Sequence, residues 1–240
     1  MTSFDHLLAL VLVVVSPVYA AWNVPRIARR IAADPLKALT KEYIWHIATQ
    51  WGLTLALIGA WWWAGRPMRE IGLRLPETAS AWSWSVLLAG AGIALFLQQG
   101  LSVVRSPAAQ AEVRKQLESK PALRTVLPST PREARVFIAI AVSAGFCEEV
   151  LYRGYLLWYL QALLPRSVAI VAAVLAFGVG HAYQGVRGIL ATGIAGAIAM
   201  AVYLVTESLL APMVLHAALD LVNGLTIYTA RVGGRVAAEG

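Results

Sequence analysis

Three short clusters of ionisable residues interrupt stretches of this chain that are otherwise apolar. The first is Glu148-Glu149-Val150-Leu151-Tyr152-Arg153, embedded in AVSAGFCEEVLYRGYLLWYL. On a helix Glu149 and Arg153 are i and i+4 and can pair, whereas Glu148 is rotated about 100° from Glu149. The two carboxylates therefore meet different neighbours: Glu149 is expected to be neutralised by Arg153, and Glu148 is left to face another helix. Desolvation favours the protonated form of a carboxylate, which would suit Glu148 to proton transfer. The second cluster is Phe177-Gly178-Val179-Gly180-His181, whose glycines permit close helix approach and could bring the imidazole against the carboxylate pair. The third is His216-Ala217-Ala218-Leu219-Asp220, followed by Asn223. Residues 216 and 220 share one helix face and 223 lies close to it at i+7, so the three form a polar stripe.

Each cluster alone has a bland reading: an ion-paired knot, an interfacial histidine, an interhelical hydrogen-bond set. Together, two glutamates, an arginine, two histidines and an aspartate exceed what packing requires. A shared buried site is the economical expectation.

The elements that must position these groups follow from composition. Of 240 residues, 59% are hydrophobic and 14% charged, and the mean hydropathy is +0.65, so the solvent for much of the chain is expected to be lipid. An ionisable group inside such a span costs about a few kcal/mol and persists mainly where it pairs, lines a cavity or performs chemistry. The apolar runs predict an all-α, polytopic transmembrane helix bundle of about seven spans (six to eight): 5–22, 43–64, 81–104, 136–161, 167–183, 188–206 and 208–230. The last two divide at Thr206-Glu207-Ser208 and Pro212. The first could be a signal peptide, with Val18-Tyr19-Ala20 as cleavage site. Asp5 stands where a signal carries positive charge, however, and the segment is read as a span.

The net charge of +7 comes from Lys and Arg beside the apolar runs, which points to lipid headgroups and away from nucleic acid. Fifteen of these residues fall on one set of connections, including Lys37 and Lys41, and four on the other (Arg66, Arg69, Arg74, Arg166). That bias predicts a cytoplasmic C-terminus. The polar connection 105–135 has residues Glu112, Arg114, Lys115, Gln116 and Glu118 that suit a short surface helix, and Trp61-Trp62-Trp63 suits an interfacial aromatic belt.

With the spans in place, the clusters resemble the E-E-x-x-x-R, F-x-x-x-H and H-x-x-x-(N/D) motifs of CPBP intramembrane proteases, the CAAX protease and Abi family. Glu148-Glu149 with Arg153, Phe177 with His181, and His216 with Asp220 match in order and spacing. The intervening GIAGAIAMAVYLVTESLLAPMVLHAALD is similar to the family's glycine-rich approach to the last motif. The resemblance covers about 135–225 and divides the chain into N-terminal spans and loop (1–134), a catalytic core (135–230) with its site in an intramembrane cavity, and a short tail (231–240). It implies an endopeptidase without a covalent intermediate or cofactor, acting on a membrane-associated or prenylated peptide or protein. Glu148, assisted by His181, would activate a water, and His216 with residue 220 would stabilise the oxyanion. Asp220 departs from the more favourable Asn: an ionised carboxylate repels an oxyanion, so Asp220 must be protonated or must instead orient His216. Glu149, Arg153, Phe177 and Asn223 are carried as supporting residues, and Glu207 could also line the cavity.

Three rivals remain open. Glu148, His181 and His216 could bind zinc with an open position, although no H-E-x-x-H motif is present. Cys147 could be a nucleophile, but an unassisted cysteine in an apolar span is usually inert packing. A non-enzymatic immunity or scaffold protein could retain the same residues. A bacterial inner membrane is the expected location, and the oligomeric state is left open.

Overall fold

The computed structural model describes residues 1–34, 38–119 and 121–239, and every regular element among them is helical. Lys37 and Lys120, counted in the charge bias, and Gly240 lie outside the described residues.

Nine helices, with short 3₁₀ turns at Met68–Ile71 and Ala182–Gln184, make up the regular structure of the described residues. Helix α1 comprises Ser3–Leu10, a π turn at Val11–Val15, and Ser16–Ala33. Helix α2 is Ala38–Trp63, α3 Ala79–Arg105, α4 Pro107–Glu118 and α5 Pro121–Val126. Helix α6 comprises Pro131–Glu148, a π segment at Glu149–Leu156, and Leu157–Gln161. Helix α7 is Arg166–Gly180, α8 Val186–Thr206 and α9 Leu210–Glu239. Each of the seven expected spans therefore forms a helix. Among the described residues four are long and apolar enough to cross a membrane by length and composition: Ser3–Ile31, Ala79–Arg105, Val186–Thr206 and Leu210–Gly233. The residues expected as a tail continue α9 without a break through Glu239.

Leu87, Leu95, Val171, Leu175, Ile194 and Ile198 stand exposed along these helices. Water would penalise such a surface, whereas lipid does not, and the polytopic membrane bundle follows. Trp62 and Trp63 are exposed and fit an interfacial belt, but Trp61 does not join them. It is buried edge-on against Trp158 at 4.6 Å, and its Nε1 donates to the Pro67 carbonyl at 3.1 Å. A helix cannot turn three consecutive residues to one face, so the triplet divides between core and surface.

Local chemistry sets the element ends. Helix α6 begins on a capping box: Thr130 Oγ1 accepts from Glu133 N at 3.2 Å while Glu133 Oε2 accepts from Thr130 N at 3.1 Å and from Ser129 N at 2.7 Å. The expected division near residue 207 is a left-handed residue, Glu207 at φ 52°. That conformation is disfavoured for a residue with a Cβ, and Arg74 offsets it by donating to the Glu207 carbonyl at 2.7 Å and carboxylate at 2.6 Å. Ser208 and Leu209 tie the same corner to Arg74 and Gly72, so α9 starts at a fixed angle to α8.

Helix α6 packs between α2 and α9, α9 also lies along α3, and α7 pairs with α8. Helices α6 and α9 come close at Gly145, where an added Cβ would stand 2.8 Å from the Ala217 backbone nitrogen. Only glycine lets α6 and α9 approach this closely.

Candidate active site

Glu148 stands near the middle of α6, at the junction where its α-helical turns pass into the π segment Glu149–Leu156. Single π turns inside α-helices often mark functional sites, because they shift the side chains beyond them to a new face. Here the junction separates the two carboxylates. Glu149 is fully buried, and its Oε1 accepts from Arg153 Nη1 at 2.8 Å and from His216 Nδ1 at 2.8 Å. The expected pairing with Arg153 is present, and the link to His216 adds a task that helix spacing did not reveal. Arg153 is itself buried, donates to the Gly196 carbonyl at 3.3 Å and lies 3.9 Å over the Phe177 ring. A Cβ at Gly196 would stand 2.8 Å from Phe177, so this glycine is needed for the guanidinium and ring to sit where they do.

Helix α7 has 15 residues and is about 22 Å long, short of a hydrocarbon core of about 30 Å. Its C-cap, His181, therefore stands level with the middle of α6. His181 Nδ1 donates to the Phe177 carbonyl at 3.0 Å. Both imidazoles thus commit Nδ1 to an acceptor, and both turn Nε2 toward the same atom: His181 Nε2 and His216 Nε2 are each 4.0 Å from Glu148 Oε2. Phe177 fills the space behind them, with its centroid 5.0 Å from His181 and 6.0 Å from His216.

Access is graded. The side chains of His216, Glu148 and His181 are 13%, 16% and 20% exposed, and that of Asp220 is 36% exposed, so the cluster opens on the Asp220 side. Asp220 Oδ2 is 3.7 Å from His216 Nε2, beyond a direct hydrogen bond. The task of orienting His216, open between Asp220 and none in the sequence, is taken at Nδ1 by Glu149.

Residues 130–222 match the family model described as type II CAAX prenyl endopeptidase Rce1-like. That segment is similar to the Rce1-like family. The matched segment is well under half of the 240 residues, and it begins at the cap of α6 and ends beyond Asp220. At the level of the family, this similarity supports a CAAX-type membrane endopeptidase. No curated protein and no solved structure matches the chain.

Within the Rce1-like segment, Glu148, Glu149, Arg153, Phe177, His181, His216 and Asp220 come together. Two residues do not join them. Asn223 lies two helical turns from His216, about 10 Å along the axis, and lines a separate cavity with Gln99, Gly100, Gln116 and Thr226. A shared face at i+7 does not make a shared site, because the face that bears Asn223 meets α3 and α4 there, while α6 stays alongside α9 through Phe137 against Gly224. Glu207 is exposed and engages Arg74 at the far end of α8.

Gln50, outside the Rce1-like segment, was not anticipated. Its Nε2 donates to Glu148 Oε1 at 2.8 Å. One turn earlier, His46 lies within electrostatic reach of Glu148 and His181. The available signal was His46, Gln50 and Thr54 at i, i+4 and i+8, a polar line on a helix otherwise rich in apolar residues.

Cys147 is fully buried, and no substrate carbonyl could reach its thiol without opening the core. Among the described residues no group of three or more His, Cys, Asp or Glu side chains stands where it could hold a metal ion.

Proposed function

We propose that this protein hydrolyses a peptide bond of a membrane-associated or prenylated peptide or protein, with Glu148 as the base that activates a water. The observation that carries this reading is the convergence of His181 Nε2 and His216 Nε2 on Glu148 Oε2, each at 4.0 Å. Such spacing is too long for direct bonds and suits one water bonded to the carboxylate and reaching either ring. Glu148 Oε2 is buried and has no other hydrogen-bond partner among the described residues.

With Nδ1–H committed to Phe177, neutral His181 presents Nε2 as an acceptor and helps draw the proton from the water. Glu148 takes that proton as the water oxygen bonds to the scissile carbonyl carbon, and returns it to the leaving amine as the C–N bond breaks. His216 has the opposite task. Glu149 accepts its Nδ1–H, and in this reading His216 acts as the imidazolium, whose Nε2–H donates to the oxyanion. One such donor is worth about 3 kcal/mol in a water-poor site. Asp220 carries less repulsion in this scheme, since it stands beside a cation. A cytoplasmic C-terminus, from the Lys and Arg bias, and a bacterial inner membrane, from the resemblance of the short chain to bacterial Abi proteins, belong to the same reading.

The test is cleavage of a quenched-fluorescent peptide panel, prenylated and unmodified, by purified wild type, Glu148→Ala and His216→Ala, with and without a chelator. Chelator-resistant cleavage, lost by about a thousandfold in Glu148→Ala and a hundredfold or more in His216→Ala, is expected. Cleavage abolished by the chelator and restored by zinc would replace Glu148 as base with a metal site. Equal cleavage by wild type and both variants would remove the proposed active site.

A further inference from the structure

We propose that Gln50 is a positioning residue for Glu148: its side-chain amide holds Oε1 and so presents Oε2 to the two histidines. The inference rests on the reading of Glu148 as base, and it adds to that site a residue from α2, outside the Rce1-like segment.

The two oxygens of Glu148 have unlike surroundings. Oε1 accepts from Gln50 Nε2 at 2.8 Å, whereas Oε2 faces both Nε2 atoms across a water-sized gap. The last torsion of a glutamate is broad and nearly two-fold, so nothing intrinsic to the side chain distinguishes the oxygens. A single donor fixed on one of them does. The sense of the bond is settled by chemistry: an ionised carboxylate only accepts, so the amide must turn its nitrogen toward it. Gln50 is 7% exposed, and burying a primary amide in an apolar helix is costly unless it is bonded. Its own Oε1 has no partner among the described residues, so the bond to Glu148 is what accounts for Gln50 being inside.

The donor is also held in place. The next residue, Trp51, donates from Nε1 to Ser143 Oγ at 3.0 Å and stacks on Phe146 with centroids 5.2 Å apart. Both contacts lie on the turns of α6 that precede Glu148, so α2 cannot slide relative to the carboxylate without breaking them. Glu148 is otherwise faced by His46 from α2, His181 from α7, His216 and Asp220 from α9, Tyr183 from the α7–α8 turn, and Tyr152 and Arg153 from its own helix. Unlike all of these groups, Gln50 cannot ionise. Replacing it with leucine removes a hydrogen bond and leaves the charges unchanged.

A hydrophobic carbodiimide, which reacts with protonated carboxyl groups, reads Glu148 without requiring turnover. Labelling of Glu148 in the detergent-purified full chain is followed by peptide mass mapping as a function of pH. Loss of a donor to the charged form should move the labelling midpoint upward by about one pH unit in Gln50→Leu. Gln50→Glu, with a second carboxylate in the same place, should move it further. Trp51→Phe gives up the bond to Ser143 but keeps a ring on Phe146 to hold α2, and it leaves the donor, so its midpoint should match wild type. In cleavage, Gln50→Leu should lower kcat about tenfold with KM within about twofold, and the acid limb of its rate profile should follow the labelling midpoint.

A midpoint in Gln50→Leu equal to wild type overturns the proposal, as does an equal shift in Trp51→Phe or labelling of Glu148 that does not depend on pH. If the leucine variant does not fold, an unmoved midpoint in Gln50→Glu overturns it instead. The two readings separate cleanly. Undiminished cleavage by Glu148→Ala, with the labelling shift present, would sink the catalytic role and keep the Gln50 contact. Dead Glu148→Ala without the shift would do the reverse.

Discussion

The Rce1-like segment and the helices before it both place charged and polar groups inside the bundle, but they do so in different ways. In the segment 130–222 the groups come in local motifs whose partners lie four residues apart on one helix, as Glu149 and Arg153 do at 2.8 Å. In the N-terminal helices, Asp5 and Gln50 instead find their partners far along the chain. Asp5 pairs with Arg66, 61 residues away, and Gln50 with Glu148, 98 residues away. A local motif can be read as chemistry from one sequence, whereas a single polar residue acquires meaning only when another helix is brought to it. The N-terminal helices are therefore no inert casing, since they supply the side-chain hydrogen-bond donor to the Glu148 carboxylate and clamp the far end of α6.

The largest effect expected from breaking this contrast lies inside the motif. Glu149 receives two donors on one oxygen, and Arg153 has no other carboxylate partner among the described residues. Glu149→Ala should strand a guanidinium in the core and cost about 3–5 kcal/mol, the usual penalty for removing one side of a buried pair. Thermal unfolding in detergent should register this as a large loss of folded protein. Glu149→Gln keeps the shape and an acceptor for His216 while removing the charge. It should fold, but cleave at least about tenfold more slowly, because imidazolium at His216 loses its counterion.

An effect of the second rank is expected in the N-terminal region. Arg66 Nη1 and Nη2 donate to Asp5 Oδ1 and Oδ2, each at 2.8 Å, and the guanidinium lies 4.9 Å from both the Trp61 and Trp158 ring centres. Tyr155 donates to the Asp5 carbonyl, and His6 Nδ1 bonds Tyr159 at 2.8 Å. The residue that set the first segment apart from a signal peptide is thus the anchor of α1 on α6. Arg66→Ala should cost about 2–3 kcal/mol, less than Glu149→Ala, since Arg66 is partly exposed and water can screen what remains. Asp5→Asn combined with Arg66→Leu should recover much of that loss. If Arg66→Ala proves harmless, the clamp contributes nothing and the N-terminal helices are held by apolar packing alone.

The same contrast accounts for what could be read in advance. The helical class, the seven apolar segments and the break near Glu207 follow from composition and periodicity, which are properties of single segments. The meeting of Glu148, His181 and His216 was accessible because three polar clusters in lipid-facing helices have few alternatives to meeting. The π segment was not accessible, since it depends on how α6 settles between α2 and α9. Nor was the bridge from Glu149 to His216, which replaces the orienting task considered for Asp220. Trp61 shows the limit from the other side: three tryptophans in a row suggest a belt, yet helix geometry sends the first into the core.

The smallest effect sharpens where the motif ends. Asn223 follows His216 at i+7, which keeps it on the same face and moves it about 10 Å along α9. At that height the neighbours are Gly100 of α3 and Gln116 of α4, and an added Cβ at Gly100 would stand 2.7 Å from Val222. The stripe that starts in the site therefore leaves it within two turns, because at Asn223 it faces α3 and α4 and the catalytic side chains are left behind. Asn223 is exposed, so Asn223→Ala should change stability by less than about 0.5 kcal/mol and cleavage by less than about twofold. Asp220→Ala, one turn from His216 and beside its Nε2, should cost more than Asn223→Ala in cleavage, most visibly in kcat, because the charge beside the proposed imidazolium is removed. Equal losses in both variants would extend the site down the stripe and make α3 and α4 part of it.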